Sequence, residues 1–174
     1  MEDHNLPNQW YRTQDIGKRK VAALREITEM MTDTQIEAVP RFFDEDDEPE
    51  GIVVCAVDSM DVRLMIWDRV KECRPDLYVD GRMGAEVAKV LCVRPNLAGE
   101  REEYETDLYP SSDAFQAPCT QRATMYCASG IGALISSQVV AHVMGRTPKS
   151  HIFCYRTITL LNGIVPNNEH DDEK

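Results

Sequence analysis

The chain has 174 residues, of which 43% are hydrophobic, and its 19 basic and 30 acidic side chains give a formal net charge of −11. This length suits one packed domain and is short for two. The negative balance argues against nucleic acid or an anionic membrane as a partner. Because acidic runs at 44–50 and near the C-terminus are typical of solvated segments, we expect a domain over 1–165 and an acidic disordered tail over 166–174.

The six cysteines are irregularly spaced, and the sequence has no Cys-x-x-Cys pair and no recognisable secretory signal. This usage predicts reduced thiols in a cytoplasmic protein. The four histidines are scattered, and none has ligand spacing with a cysteine. A zinc site is therefore not expected.

The first predicted helix runs from Asp15 to about Asp33, with Thr13 or Asp15 as its cap. Apolar residues recur there at helical spacing, namely Val21, Leu24, Ile27 and Met31. Residues 35–43 then alternate between apolar and polar, which predicts a short strand. An acidic loop follows this strand.

Residues 51–57 form a continuous apolar run rich in β-branched side chains. Such a run predicts a strand buried on both faces, as in a parallel sheet. It ends abruptly at Asp58, and Ser59 can cap a second helix that extends to about Cys73 before Pro75 stops it. The predicted inner face of this helix carries Leu64, Trp67 and Val70.

The second half of the chain continues the alternation of strands and helices. Residues 77–95 predict two strands around a glycine-containing turn, and 96–118 are polar and irregular. A long helix is predicted from about Thr120 to Gly145, followed by a last strand over 151–161. The whole pattern predicts an α/β domain with a mostly parallel sheet.

The segment 123–145 is long enough to span a membrane and contains no Asp, Glu, Lys or Arg. Its polar side chains lower its hydrophobicity below that of a confident spanning helix. They are Ser129, Ser136, Ser137, Gln138 and His142. We therefore expect a helix buried among other elements and no membrane partner.

Asp58 and Lys20 are the first candidates for chemistry. Asp58 follows a buried parallel strand, where open α/β sheets bind ligands, and a carboxylate there suits the Mg²⁺ that accompanies nucleotide phosphates. Its alternative role is a helix cap. Lys20 can contact a phosphate as a point charge, although most lysines on helix surfaces are simply solvated.

Cys119 lies just before the long helix, where the helix dipole and nearby Arg122 can lower a thiol pKa. It is a candidate nucleophile, and the alternative is a small buried residue. Cys127 falls within the apolar helix, so we expect it in the core.

Three segments follow one another in the order "NLPNQ" from Asn5, "DIGKRK" ending at Lys20 and "VVCAVDSMDVR" from Val53. In this order they resemble the ThiF, MoeB and ubiquitin-activating-enzyme family of adenylyltransferases. The family activates the carboxyl terminus of a ubiquitin-like or sulfur-carrier protein with ATP. The resemblance implies a Rossmann-like fold in which Asn5 and Gln9 lie near ATP, Lys20 contacts its phosphates and Asp58 supports Mg²⁺.

The resemblance also bears on three further residues. It gives Arg63 a structural or nucleotide-site role. "PCT" around Cys119 is similar to the setting of the cysteine that forms a thioester or persulfide in parts of the family. The catalytic arginine of the family is replaced by Asn8, and Arg12 is a possible substitute. Relatives commonly act as homodimers or heterodimers.

The Gly-rich loop and first βα unit of the family are missing from residues 1–174. A Gly-rich loop supplies backbone N–H groups to phosphates. We therefore expect a fragment or one part of a split adenylyltransferase. The alternative is a non-catalytic subunit that pairs with a complete adenylyltransferase or a ubiquitin-like protein. A methyltransferase or dehydrogenase on a related sheet has no fingerprint here.

Overall fold

A computed structural model describes residues 9–84, 86–113, 124–155 and 159–162. The helices and strands of this described part are α1 (Lys20–Thr32), β1 (Ile52–Cys55), α2 (Met60–Cys73), β2 (Leu77–Gly84), β3 (Val87–Val93), α3 (Ala98–Glu105), α4 (Met125–Val143), β4 (His151–Cys154) and β5 (Thr159–Asn162). Short 3₁₀ turns occupy Thr13–Asp15 and Ser111–Asp113.

The five strands form one sheet in the order β1-β2-β3-β4-β5. β1 and β2 are parallel, with Ile52 opposite Leu77, and the other three described pairs are antiparallel. The domain is α/β as predicted, but the prediction of a mostly parallel sheet is wrong for the described strands. Parallel neighbours need a long crossover connection, which α2 provides between β1 and β2. The β2–β3 and β4–β5 connections are too short for a crossover, and the longer link through α3 and α4 brings β4 back antiparallel to β3.

One face of the sheet is covered by α2 and α3, and we call it the α2/α3 face. Side chains alternate between the two faces along a strand, so Tyr78 and Asp80 point to the same side. Trp67 packs among Tyr78 and Tyr104, with ring centroids 5.4 and 4.4 Å away. The buried apolar residues of this face are Cys55, Ile66, Trp67, Val70, Tyr78, Leu91, Val93 and Tyr104.

The opposite face is covered by α4, and we call it the α4 face. Its buried residues are Leu77, Val79 and Val90, and α4 packs against them with the partly buried Ile131, Leu134, Ile135 and Val139. Close approach depends on Gly81, because a Cβ at that position would lie 2.8 Å from the Ile135 Cδ1 atom. β1 is less well covered on this side, and Val54 is 47% exposed. The prediction that this strand is buried on both faces is therefore wrong.

The helix α1 begins later than predicted. Gly17 adopts a positive φ of +84°, which interrupts the chain between the 3₁₀ turn and the helix. Arg19 is the N-cap residue and makes no side-chain cap hydrogen bond, so neither Thr13 nor Asp15 caps the helix. Of the predicted apolar stripe only Ile27 is buried.

Two stretches between the elements differ from expectation. Residues 33–51 are described throughout and contain no strand, and Phe42 in the predicted strand is 94% exposed. Pro40 lacks the N–H that a paired strand would donate there. The polar stretch after residue 96 contains α3, which buries only Tyr104 and so shows no apolar stripe in the sequence.

The predicted helix before Cys73 and the β2–β3 hairpin are confirmed. The long C-terminal helix is also confirmed as α4, which by length and composition alone could cross a membrane. It packs one side on the sheet while Tyr126, Val140 and Val143 remain exposed, so in the described part of the chain it is not buried among other elements. The single final strand predicted over 151–161 is instead the antiparallel pair β4 and β5.

Candidate functional site

Asp58 lies three residues beyond the carboxyl end of β1, as predicted. Its side chain is exposed and makes no hydrogen bond or ion pair within the described part of the chain. It does not cap α2, because that role belongs to Ser59, whose Oγ accepts a hydrogen bond from the Val62 N–H at 3.4 Å. The carboxylate is therefore free to contact a cation or a ligand.

The backbone on both sides of Asp58 is held in place. Arg63 donates from Nη2 to the Val57 carbonyl at 2.6 Å. After Asp58, the first turn of α2 is joined to Ser111 by two reciprocal hydrogen bonds of 3.2 Å with the backbone N–H and carboxylate of Asp61. The exposed carboxylate thus stands on a fixed loop.

Asp80 is the centre of the network that holds Arg63. Its carboxylate accepts hydrogen bonds from Arg63 Nε at 2.8 Å, Arg82 Nε at 2.7 Å and the Tyr104 hydroxyl at 2.9 Å. The Asp80 side chain is 0% exposed, and that of Arg63 is 4% exposed. A buried carboxylate is stabilised only when its oxygens are paired in this way.

The network contains two guanidinium groups and one carboxylate, a net charge of +1. Arg82 also donates to the Asp107 carbonyl at 2.8 Å, and its Nη2 is the one buried side-chain N or O atom without a partner in the described part. Burial opposes a charge on Arg82, but the charge and hydrogen bond of Asp80 raise its pKa overall. Burial, with Asp80 nearby, also raises the pKa of the Tyr104 hydroxyl.

Lys20 is the first residue of α1, and its side chain is exposed. It makes no hydrogen bond or ion pair with the described residues, in contrast to Arg19, which donates to the Pro40 carbonyl at 2.7 Å. An ammonium group without a local partner can contact phosphate oxygens. The phosphate contact of Lys20 stays a prediction.

Gln9 lines a small cavity of about 250 Å³ together with Trp10, Tyr11, Leu24 and Ala128. Leu24 lies one helical turn after Lys20 on the same side of α1. The cavity wall and Lys20 therefore share a face of the helix. Asp58 does not line this cavity.

Arg12 is already engaged by two acidic residues. Its guanidinium contacts both oxygens of Asp15 at 2.8 Å and Glu26 at 3.1 Å. Lys18 also contacts Asp15, at 3.2 Å. The hydrogen bonds from Arg12 hold the pKa of the Asp15 carboxyl well below its usual range. A role for Arg12 at ATP stays a prediction, and it would require the loss of these contacts.

Asn5 and Cys119 lie outside the described residues. No disulfide bond joins the five cysteines that the structure describes, and their reduced state stays a prediction. Cys127 is fully buried near the start of α4, as predicted, and burial raises the pKa of its thiol. A raised pKa disfavours the thiolate, so Cys127 is poorly suited to be a nucleophile.

The donor set fits a magnesium ion that arrives with a nucleotide rather than a resident metal. Within the described ranges, no group of three or more His, Cys, Asp or Glu side chains could hold a metal ion. Nucleotide-bound Mg²⁺ needs only one or two protein carboxylates, since phosphates and water supply its other ligands. Asp58 meets that requirement.

Sequence reasoning predicted Asp58 and assigned Arg63 only a general role, and it missed Asp80, Arg82 and Tyr104. A signal was present in β2, because Asp80 and Arg82 interrupt an apolar run at alternate positions. Alternation of that kind places both charges on one face of a strand. Their common partner Arg63 could not be found from spacing.

The fold is similar to that of two solved proteins, although the sequence matches no protein-family model and no curated protein. Crystal structures of Escherichia coli MccB, a microcin C7 biosynthetic enzyme, include one aligned at a TM-score of 0.68 and 15% identity, covering 96% of this chain and 54% of MccB. PaaA aligns at a TM-score of 0.67 and 15% identity, covering 92% of this chain and 60% of PaaA. MccB has been solved with ATP and with MccA.

At this identity the similarity concerns the fold alone. The chain spans between 54% and 60% of the length of these two proteins.

Proposed function

We propose that the chain is part of an ATP-dependent adenylyltransferase that activates the C-terminal carboxylate of a ubiquitin-like or sulfur-carrier protein. The observation that carries the proposal is Asp58, an exposed carboxylate that makes no hydrogen bond or ion pair with the described residues and stands on a fixed loop beyond a parallel strand. Open α/β sheets bind ligands at this end of their strands. The ATP complex of MccB, a protein of the same fold, supports the same substrate.

In the proposed reaction the carrier carboxylate attacks the α-phosphorus of ATP, an acyl adenylate forms and pyrophosphate leaves. The chain's own residues act by position and charge. Lys20 would contact phosphate oxygens as a point charge, and Asp58 would hold the ion that neutralises them. Gln9 and Asn5 would line the nucleotide site.

The proposal includes a companion segment that supplies the Gly-rich phosphate loop. No such loop occurs in residues 1–174, and the chain spans only 54% to 60% of the length of the two fold neighbours. β1 lies at one edge of the described sheet, so its outer backbone groups are open to a further strand. We propose a cytoplasmic protein that works as a homodimer or heterodimer.

The experiment is ATP–pyrophosphate exchange with the chain purified from its source together with any co-purifying subunit. Asp58→Asn removes the negative charge at nearly constant shape, so we expect loss of most of the Mg²⁺-dependent exchange with an unchanged melting temperature. Lys20→Ala should weaken ATP binding by about 1.5–3 kcal/mol, the contribution of a hydrogen bond to a charged group.

Two surface substitutions serve as matched controls. Asp68→Asn removes an exposed carboxylate from α2, and Arg25→Ala removes an exposed positive charge from α1. Both should retain the exchange rate of the unmodified protein. Exchange by Asp58→Asn and Lys20→Ala at that same rate would show that these two residues do not serve the proposed reaction.

A second candidate is a non-catalytic subunit that binds a complete adenylyltransferase or a ubiquitin-like protein. The engaged state of Arg12 favours it, because Asn8 replaces the family arginine and the nearby guanidinium is paired with Asp15 and Glu26. This candidate predicts stable binding to such a partner without pyrophosphate exchange. Exchange abolished by Asp58→Asn would exclude it.

Cysteine substitutions can distinguish a covalent intermediate with the carrier protein from adenylation without such an intermediate. If Cys119 forms a thioester or persulfide, Cys119→Ser should remove a thiol-sensitive adduct and spare the exchange reaction, which needs no thiol. Cys127→Ala should lower stability, because Cys127 is fully buried, and leave the adduct intact. Intact-protein mass spectrometry detects the adduct, and its survival in Cys119→Ser would eliminate Cys119.

A further inference from the structure

The Asp80 network joins the core of the sheet to the loop that carries Asp58. The connection runs from Asp80 to Arg63 at 2.8 Å and from Arg63 to the Val57 carbonyl at 2.6 Å. The Val57 carbonyl and the Asp58 N–H belong to the same planar peptide unit. A hydrogen bond that fixes this carbonyl therefore fixes the peptide from which Asp58 projects.

Asp80 also fixes the direction of Arg63. One carboxylate oxygen accepts from Arg63 Nε, and the other accepts from Arg82 Nε and the Tyr104 hydroxyl. The planar guanidinium presents several donors in a rigid fork, so it can bind Asp80 and Val57 together. A lysine ammonium at position 63 lacks this fork.

We infer that Asp80 is a positioning residue for Asp58, acting through Arg63 to hold the Asp58 loop in one conformation. Such a loop delivers an exposed carboxylate without the entropy loss of ordering it when the ligand binds. The functional meaning of this inference rests on the proposed Mg²⁺ role of Asp58. The hydrogen-bonded connection from Asp80 through Arg63 to the Asp58 loop does not depend on that role and can be tested without a ligand.

The test measures backbone order by ¹⁵N relaxation of the full chain. Rigid backbone gives order parameters of about 0.85, and flexible backbone gives values below about 0.6. We expect rigid values at Asp58 and Ser59 in the unmodified chain and values below about 0.6 in Asp80→Asn. The Val57 carbonyl ¹³C shift should move toward that of a carbonyl without an Arg63 hydrogen bond.

Arg63→Lys provides a second variant that keeps a positive charge beside Asp80. Because one ammonium does not reproduce the two-sided contact, the order parameter of Asp58 should fall here also. Glu100→Gln is the control, since it removes a carboxylate from the Arg94 pair on the β3–α3 connection. It should leave Asp58 rigid.

A folded Asp80→Asn chain with a rigid Asp58 would overturn the inference. If Asp80→Asn does not fold, the Arg63→Lys variant provides the test. A rigid Asp58 in Arg63→Lys would show that the guanidinium does not hold the loop and would also overturn the inference. A flexible Asp58 in the unmodified chain also contradicts the inference.

A functional measurement separates this inference from the proposed reaction. If the unmodified protein catalyses exchange, Asp80→Asn should raise the Mg²⁺ concentration for half-maximal exchange by about tenfold. A change of about tenfold in affinity corresponds to the loss of one hydrogen bond to a charged group. An unchanged Mg²⁺ requirement contradicts positioning of the metal ligand. Absence of exchange in the unmodified protein contradicts the proposed reaction. The ¹⁵N relaxation measurement then decides by itself whether Asp80 holds the Asp58 loop.

Discussion

The two faces of the sheet are packed to different degrees. On the α2/α3 face, Trp67 is 1% exposed and lies in a cluster of three aromatic rings above a buried ionic network. On the α4 face, the helix of 19 residues buries only Cys127 fully, and its inner apolar side chains remain partly exposed. The face that holds the Asp58 loop is therefore the more fully buried of the two.

This difference shows how one sheet can combine a rigid support with a loosely packed side. The α2/α3 face contributes Arg63, Asp80 and Tyr104 to the support of the candidate site. The outer side of α4 carries exposed apolar residues and polar serines, and the described part of the chain does not cover it. Stability and site geometry should therefore depend more on α2 than on α4.

Truncating Trp67 should produce the largest effect. Trp67→Ala removes a buried indole and its hydrogen bond to Glu105, so we expect a loss of about 3–5 kcal/mol in the free energy of unfolding. Ile135→Ala on the α4 face should lose less than about 2 kcal/mol, because its side chain is only partly buried. Urea denaturation measures both, and equal losses would refute the difference between the faces.

A pair of glycines in α4 gives the next largest effect. A Cβ at Gly130 would lie 1.4 Å from the Tyr155 hydroxyl, so Gly130→Ala should destabilise the protein by about 1–3 kcal/mol through overpacking. Gly132 has nothing within 4 Å of such a Cβ, so Gly132→Ala should stabilise the helix by about 0.5–1 kcal/mol. Thermal unfolding compares them, and effects of the same sign would show that Tyr155 does not pack closely on α4.

Thiol labelling should report the smallest difference. Burial, followed by the nearby Glu100, raises the pKa of the Cys92 thiol to about 12, and burial also raises that of Cys55. Because the thiolate reacts, labelling of Cys92 by iodoacetamide should rise about tenfold per pH unit from pH 8 to about 11. Levelling near pH 9 would contradict the raised pKa.

In urea below the unfolding midpoint, the same reagent compares the faces directly. Cys92 lies on the α4 face and Cys55 on the α2/α3 face. Cys92 should label about tenfold faster, which corresponds to about 1.4 kcal/mol less protection. Mass spectrometry of labelled peptides measures the two rates. Faster labelling of Cys55 would show that the α2/α3 face is the less protected of the two.

Local sequence signals determined much of this architecture. The apolar run before Asp58, the Ser59 cap and the following helix were predictable, because each depends on neighbours within a few residues. The β2–β3 hairpin and the long α4 helix were predictable for the same reason. Asp58 was found as a candidate because it directly follows the apolar run that predicted the strand.

Only the tertiary structure decided the direction of the strands, the exposure of β1 and α4, and the partners of the charges. Strand pairing depends on connections between distant segments, and burial depends on which element covers which face. Arg63, Asp80 and Tyr104 are far apart in the sequence and meet because α2 and α3 pack on the same side of β2. A buried carboxylate is stabilised by such distant partners, so its role cannot be read from nearby sequence. A helix cap or an apolar run depends on the residues beside it and can be predicted from them.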